Sequence, residues 1–161
     1  MVRLVFILFF GFILSQNTDA LPLSMVDADG NSFNRHNISI GMWDDKTGIS
    51  LIGYTYNIKQ DRMNEYFIGA GTAILAFTGS VGWKHYHRKS NKFSIYSVFS
   101  EQIVAHLGFS GFMSTASISL EYNLTTWAQA KVGAFGLFII RTDQDGSQFG
   151  AVPFLGLNFS F

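Results

Sequence analysis

The sequence predicts an all-β fold, eight antiparallel strands closed as an up-and-down barrel, and three observations predict it. Runs of about ten residues alternate between apolar and polar side chains, the period of a strand with two unlike faces. Clusters of Asp, Asn, Lys, Ser and Gly separate the runs and supply turn chemistry. Beyond Leu14 no stretch approaches the roughly 18 apolar residues that a membrane helix needs, so helices do not account for the hydrophobicity of the chain.

The clearest strand lies at 115–124, where Ala116, Ile118, Leu120, Tyr122 and Leu124 alternate with Thr115, Ser117, Ser119, Glu121 and Asn123. The next places Ala128, Ala130, Val132, Ala134, Gly136, Phe138 and Ile140 opposite Gln129, Lys131 and Gly133. A hairpin-length connection around Thr125 joins the two. Earlier runs cover 35–43, 48–58, 63–72, roughly 79–86, 93–105 and 108–124, and 148–161 comes last. Ile38, Ile40 and Met42 mark the apolar face of the first, and Ile52, Tyr54, Tyr56 and Ile58 that of the second. Turns are read at 44–47, 59–62, 88–91 and 142–147. The stretch 73–78 counts as a loop, although Ala73, Ile74, Leu75, Ala76 and Phe77 are unusually apolar for one. Across 97–106 the alternation changes phase, which implies either a β-bulge or different strand limits.

Composition narrows the class. Eleven basic residues balance eleven acidic ones, so the electrostatic footprint of a nucleic-acid binder is missing. Apolar residues reach 48% and aromatics 16%, which rules out a disordered chain and suits a polypeptide whose surface meets lipid. There is no cysteine, hence no disulfide framework and no lipoprotein anchor. Arg3 precedes the apolar run Leu4 to Leu14, too short for a spanning helix of about 20 residues and suited to the core of a signal peptide. Cleavage fits after Ala20 or after Ser15. The domain reading is a signal peptide at 1–20, a short leader at 21–33 and a barrel at 34–161.

The chain ends Phe154-Leu155-Gly156-Leu157-Asn158-Phe159-Ser160-Phe161, with every second residue large and apolar back from the carboxylate. A terminal aromatic on such a strand, behind an export-type segment and without cysteine, resembles the C-terminal signal of small bacterial outer-membrane β-barrel proteins. By pattern the resemblance covers nearly all of the chain after the leader, but only these last residues are motif-like. It implies a transmembrane barrel in the bacterial outer membrane, with lipid as its surroundings. It also implies that Leu155, Leu157, Phe159 and Phe161 are read by the barrel-insertion machinery. In that setting the apolar faces point out and the polar faces in. The short connections depart from the class, which usually carries longer extracellular loops, and argue against a loop-mediated adhesion or receptor role.

A lumen of eight strands is just wide enough for side chains, so inward polar groups read as a hydrogen-bonded, ion-paired filling and not as a pore lining. The candidates are Lys84, Glu121, Gln129, Lys131 and Asn158, with Glu101 also read as inward. Glu121 and Lys131 flank the same hairpin and are expected to pair. His85 and His87 share a strand face but offer only two ligands beside Trp83, Arg88 and Lys89, a composition that suits an interfacial rim better than a metal site. Asn37, Asn123 and Asn158 each begin an Asn-x-Ser/Thr triplet within a strand, where glycosylation is sterically unfavourable. Some outer-membrane barrels of this size hydrolyse or transfer lipid acyl groups. The His and Ser two apart on one strand that such a deacylase uses are absent: Ile38 follows His36, His87 follows His85, Lys89 follows His87 and Gly108 follows His106. No catalytic, cofactor or metal residue is assigned. The expected role is structural or interaction-based, with a lipid-modifying enzyme as the alternative and a soluble periplasmic carrier as a third reading.

Overall fold

A computed structural model of the chain describes residues 34–106, 109–141 and 147–161. The stretches read as signal peptide and leader, and all but the last residue of the 142–147 turn, lie outside the described residues. The strands are β1 (His36–Met42), β2 (Ile52–Gln60), β3 (Asn64–Ala73), β4 (Ala76–Lys89), β5 (Phe93–His106), β6 (Phe109–Asn123), β7 (Ala128–Arg141) and β8 (Ser147–Ser160). Each pairs antiparallel with the next, and β8 pairs with β1 to close an eight-strand barrel. Along β1, closure pairs the edges of β2 and β8 that an open meander would expose.

Side chains sort by strand parity into an apolar outside and a largely polar inside. Ile40, Ile68, Phe77, Ile118, Leu120 and Leu157 are large, apolar and exposed, whereas Thr55, Lys84, Ser100, Gln102, Thr115 and Glu121 are buried. The lumen also holds one apolar wedge, built from Phe67, Tyr86, Tyr96 and Val98. Lys84 Nζ lies 4.4 Å from the ring centre of Tyr86 and 4.0 Å from that of Tyr96, so the wedge and the charges form one packed filling.

The wall is uneven. β1 ends at Met42, which pairs with Leu155, so among the described residues Ser147–Phe154 of β8 have β7 as their only ladder partner. Pro153 lies in this stretch, where a missing backbone donor costs least. In place of a longer β1, the chain turns inward at Trp43.

Four expectations about the strands change. β2 starts at Ile52 and not at 48, because 48–51 belong to the inward segment. The 73–78 loop shrinks to Ile74 and Leu75, since Ala73 already pairs with Ala76 and β4 begins there. Ile74 has φ +48° and is 85% exposed, an unusual backbone region for a β-branched residue. Neither a bulge nor a boundary explains 97–106: β5 pairs with β6 without a register shift, and the bulge lies on β4 between Tyr86 and Arg88. The phase changes because Val98 and Val104 point into the lumen while Glu101 points out, where its Oε2 accepts from Ser114 Oγ at 2.8 Å. Glu101 is therefore not a lumen residue.

Candidate functional site

The lumen is built around the segment between β1 and β2, which the sequence presents as an ordinary turn at 44–47. It is a plug. Asp44, Asp45, Lys46, Thr47 and Ser50 are all buried. The segment folds on itself before it packs: Asp44 Oδ1 accepts the backbone N–H groups of Lys46 and Thr47, both at 2.8 Å, while Asp44 and Gly48 exchange backbone hydrogen bonds. This is the Asx-turn chemistry of aspartate, closed by a glycine at φ +70°.

The sheet is shaped to receive it. A Cβ on Gly53 would lie 2.5 Å from Thr47 Oγ1, and one on Gly71 would lie 2.6 Å from Ser50 Cβ. Any larger residue at either position occupies space that the plug already fills. Hydrogen bonds then hold the plug to the next two strands, β4 and β5, from Thr78 Oγ1 to Thr47 O at 2.8 Å and from Ser100 Oγ to Lys46 O at 3.3 Å.

Charge fixes the plug further. Lys131 Nζ reaches Asp44 Oδ2 at 2.9 Å and Asp45 Oδ1 at 3.0 Å, and Lys46 Nζ reaches Glu65 Oε2 at 3.1 Å. Lys84 pairs with Glu121 at 2.8 Å. Tyr86 OH donates to Glu65 Oε1 at 2.7 Å while Lys84 Nζ lies over the Tyr86 ring, so Tyr86 ties the second and third groups together. Each buried cation thus has a carboxylate, the condition under which charge is tolerated in a low-dielectric interior.

Of the lumen residues read from sequence, the structure buries Lys84, Glu121, Lys131 and Asn158, and leaves Gln129 half-buried with its Oε1 accepting from Asn158 Nδ2 at 2.9 Å. Glu121 and Lys131 do not pair with each other, because Lys84 and the plug aspartates take them. Sequence reasoning missed Asp44, Asp45, Lys46 and Glu65. Two acidic residues and a lysine between strands look like a solvated turn. The signal that could have exposed them is the glycine pattern Gly53, Gly69 and Gly71 on one inward face.

At the end of the barrel that carries His36 and Phe161, the lumen opens into a polar cavity of about 340 Å³. Lys46, Glu65, Lys84 and Glu121 line it together with amide and hydroxyl side chains from several strands. At this end Phe161 and His36 exchange backbone hydrogen bonds of 2.9 and 3.0 Å, and their rings stack at 5.8 Å. Leu155, Leu157 and Phe161 are exposed and Phe159 is half-buried against Trp127.

On the outside, Trp83 Nε1 donates to Asn64 Oδ1 at 3.0 Å and His85 Nδ1 hydrogen-bonds the same oxygen at 2.8 Å. Among the described residues no group of three or more His, Cys, Asp or Glu converges as metal ligands would. The β4–β5 ladder does bring His87 Nε2 to 2.8 Å from Ser97 Oγ. That His–Ser contact escaped a search for residues two apart on one strand, because it is made across strands at the bulge. Among the described residues no carboxylate hydrogen-bonds His87, so the contact is a dyad without the orienting third group.

No family model, no curated protein and no solved structure matches this chain. Among the described residues no helix is long and apolar enough to cross a membrane, a statement that does not bear on strands. The functional reading therefore stands on the sequence and the geometry.

Proposed function

We propose that the protein is a small barrel of the bacterial outer membrane, exported by a cleavable signal peptide, with a plugged lumen and a structural or interaction role. One observation carries this reading: the polarity of the barrel is inverted, with apolar side chains around the outside and ion pairs within. A soluble barrel carrier needs the opposite arrangement, and a soluble monomer seldom exposes an apolar surface of this extent. Tyr54, Tyr122 and Trp127, exposed near the end that carries the C-terminus, suit an interfacial aromatic belt. In this reading the strand with Leu155, Leu157, Phe159 and Phe161 is the partner of the insertion machinery. The buried plug argues for a closed interior over a conducting one.

The test is fractionation, followed by electrophoresis of unboiled and boiled samples. An outer-membrane band that migrates differently before boiling is the expected result. A freely soluble periplasmic pool without that shift overturns the reading. Planar-bilayer conductance should stay near background, and large stable steps would replace the plug with a pore.

The His87–Ser97 contact favours a second reading, a lipid-directed acyl hydrolase or transferase acting at the membrane interface. Its test is ester hydrolysis from mixed micelles by the intact protein and by Ser97→Ala. Equal rates remove it.

A further inference from the structure

We propose that His85 and His87 form a binding site for one divalent transition-metal ion, Cu²⁺ in preference to Zn²⁺, on the outer wall of the barrel near the end that carries Phe161. The inference goes beyond the barrel reading above and does not rest on it.

Hydrogen bonding fixes which nitrogen His85 offers. Asn64 Nδ2 donates to Asp61 Oδ1 at 2.9 Å and to Asp61 Oδ2 at 3.1 Å, so the other amide atom of Asn64 is an acceptor oxygen. The indole N–H of Trp83, which can only donate, reaches that oxygen at 3.0 Å and agrees with the assignment. His85 Nδ1, 2.8 Å from the same oxygen, therefore carries the proton, and neutral His85 keeps the lone pair of Nε2 free. Metal-binding imidazoles are held in this way, by a bond donated from the second ring nitrogen to a fixed acceptor. Here the support runs back through Asn64 to the Asp61 carboxylate.

Strand register brings the second imidazole to the same place. Asn64 is the β3 partner of His85, and Ser97 is its β5 partner. The Asn64 bond turns Nδ1 towards β3, so Nε2, on the opposite edge of the ring, faces the β5 side. His87 leans to that side as well, with its Nε2 2.8 Å from Ser97 Oγ, at the bulge between Tyr86 and Arg88. The Ser97 hydroxyl can donate or accept, so either nitrogen of His87 can be the unprotonated one. The two ring centres lie 5.2 Å apart. Two imidazoles that share one metal ion at about 2.0–2.1 Å per bond hold their centres about 4.5–5.5 Å apart.

The cations that flank the pair in sequence are drawn to other rings. Lys89 Nζ lies 4.6 Å from the ring centre of Tyr86, a lumen residue, and Arg88 Cζ lies 5.1 Å from that of Phe93. His85 is half-buried and His87 exposed, which leaves the remaining coordination positions to water. Two imidazoles and water oxygens suit tetragonal Cu²⁺, and the Irving–Williams order ranks it above Zn²⁺ for a given nitrogen and oxygen site. With two protein ligands the affinity is modest, and the chain has no cysteine whose thiolate would compete.

The experiment titrates the full chain, folded in detergent, with Cu²⁺ and separately with Zn²⁺, and follows calorimetric heat and the electron paramagnetic resonance of bound copper. One Cu²⁺ per chain with Kd on the order of 10 μM is expected, with two imidazole nitrogens in the spectrum and Zn²⁺ at least about tenfold weaker. His85→Gln and His87→Gln should each weaken Cu²⁺ by at least about tenfold and remove one nitrogen from the spectrum. Asn64→Ala acts only through His85, so it should weaken binding about tenfold while both nitrogens stay coordinated. Circular dichroism reports whether each variant keeps its strands, and exposed His87→Gln, the change least able to disturb the fold, decides the matter should the others unfold. A wild type that shows no saturable Cu²⁺ binding below about 1 mM overturns the inference, as do unchanged affinity and an unchanged nitrogen count in His87→Gln. Either failure leaves the membrane reading untouched, because fractionation decides that separately.

Discussion

Glu121 and Lys131 stand directly opposite one another across the β6–β7 ladder, yet each forms its ion pair elsewhere. Glu121 goes to Lys84, and Lys131 goes to Asp44 and Asp45 of the plug. The pairing follows from the plug, which places two carboxylates within reach of the Lys131 ammonium and leaves Glu121 to Lys84.

Double-mutant cycles in urea-titrated, detergent-folded protein should reproduce this wiring. Lys131→Met strands two buried carboxylates and should cost about 3–5 kcal/mol. The Lys84/Glu121 and Lys131/Asp44 cycles should each give a coupling of about 0.5–3 kcal/mol, and the Glu121/Lys131 cycle a smaller one. A Glu121/Lys131 coupling as large as the other two would contradict the assignment.

The plug should be sensitive to sheet glycines and not to glycine as such. Gly53→Ala drives a methyl group against Thr47 Oγ1 and Ser39 Oγ, and overpacking of this kind costs about 1–3 kcal/mol. Gly79→Ala meets nothing within 4 Å and should stay within about 0.5 kcal/mol of wild type. Equal unfolding midpoints for the two variants would show that the plug is loosely held.

These residues mark how far the sequence could be read. Strand number and the outward faces were legible because period-two alternation is a local property, written along each strand. Most strand limits fell within a few residues of the structure for the same reason. The plug was not legible, because its burial depends on glycines in β2 and β3 and on a lysine in β7, all remote in sequence. Val98 and Val104 misled for a related reason. They fill the lumen as apolar packing, and alternation cannot tell an inward valine from an outward one. Ile74 and Leu75 failed differently, since turn chemistry predicts polar residues where the structure makes a tight, apolar β3–β4 connection.

The β2–β3 turn gives a pH prediction. Partial burial alone would raise the Asp61 carboxyl, but the backbone N–H groups of Met63 and Asn64 and the Asn64 side chain outweigh it and hold the carboxyl below the usual carboxylate value. A folded-state pKa below the unfolded value of about 3.9 means that Asp61 stabilises the fold above that pH and loses its contribution as pH falls through the lowered value. Asp61→Ala should therefore be less stable than wild type at pH 7, with the gap narrowing below about pH 4. A gap that widens with acid would reverse the sign and remove the turn carboxylate as its source.

Phe161 has two separable roles on this reading, closure of the β1–β8 seam and recognition during insertion. Closure is physical: the residue exchanges backbone hydrogen bonds with His36 and stacks on its ring with an interplanar angle of 9°. Phe161→Ala keeps the backbone bonds and removes the stack, so refolding into detergent without any insertion machinery should proceed with a loss of about 0.5–1.5 kcal/mol. In cells the same variant should be exported normally and reach the outer membrane in reduced amount, and deletion of Phe161 should reduce it further. The comparison between the two settings decides the matter. A variant that folds in detergent but fails to insert in cells supports recognition, whereas normal insertion in cells would make the terminal aromatic a structural clasp and nothing more.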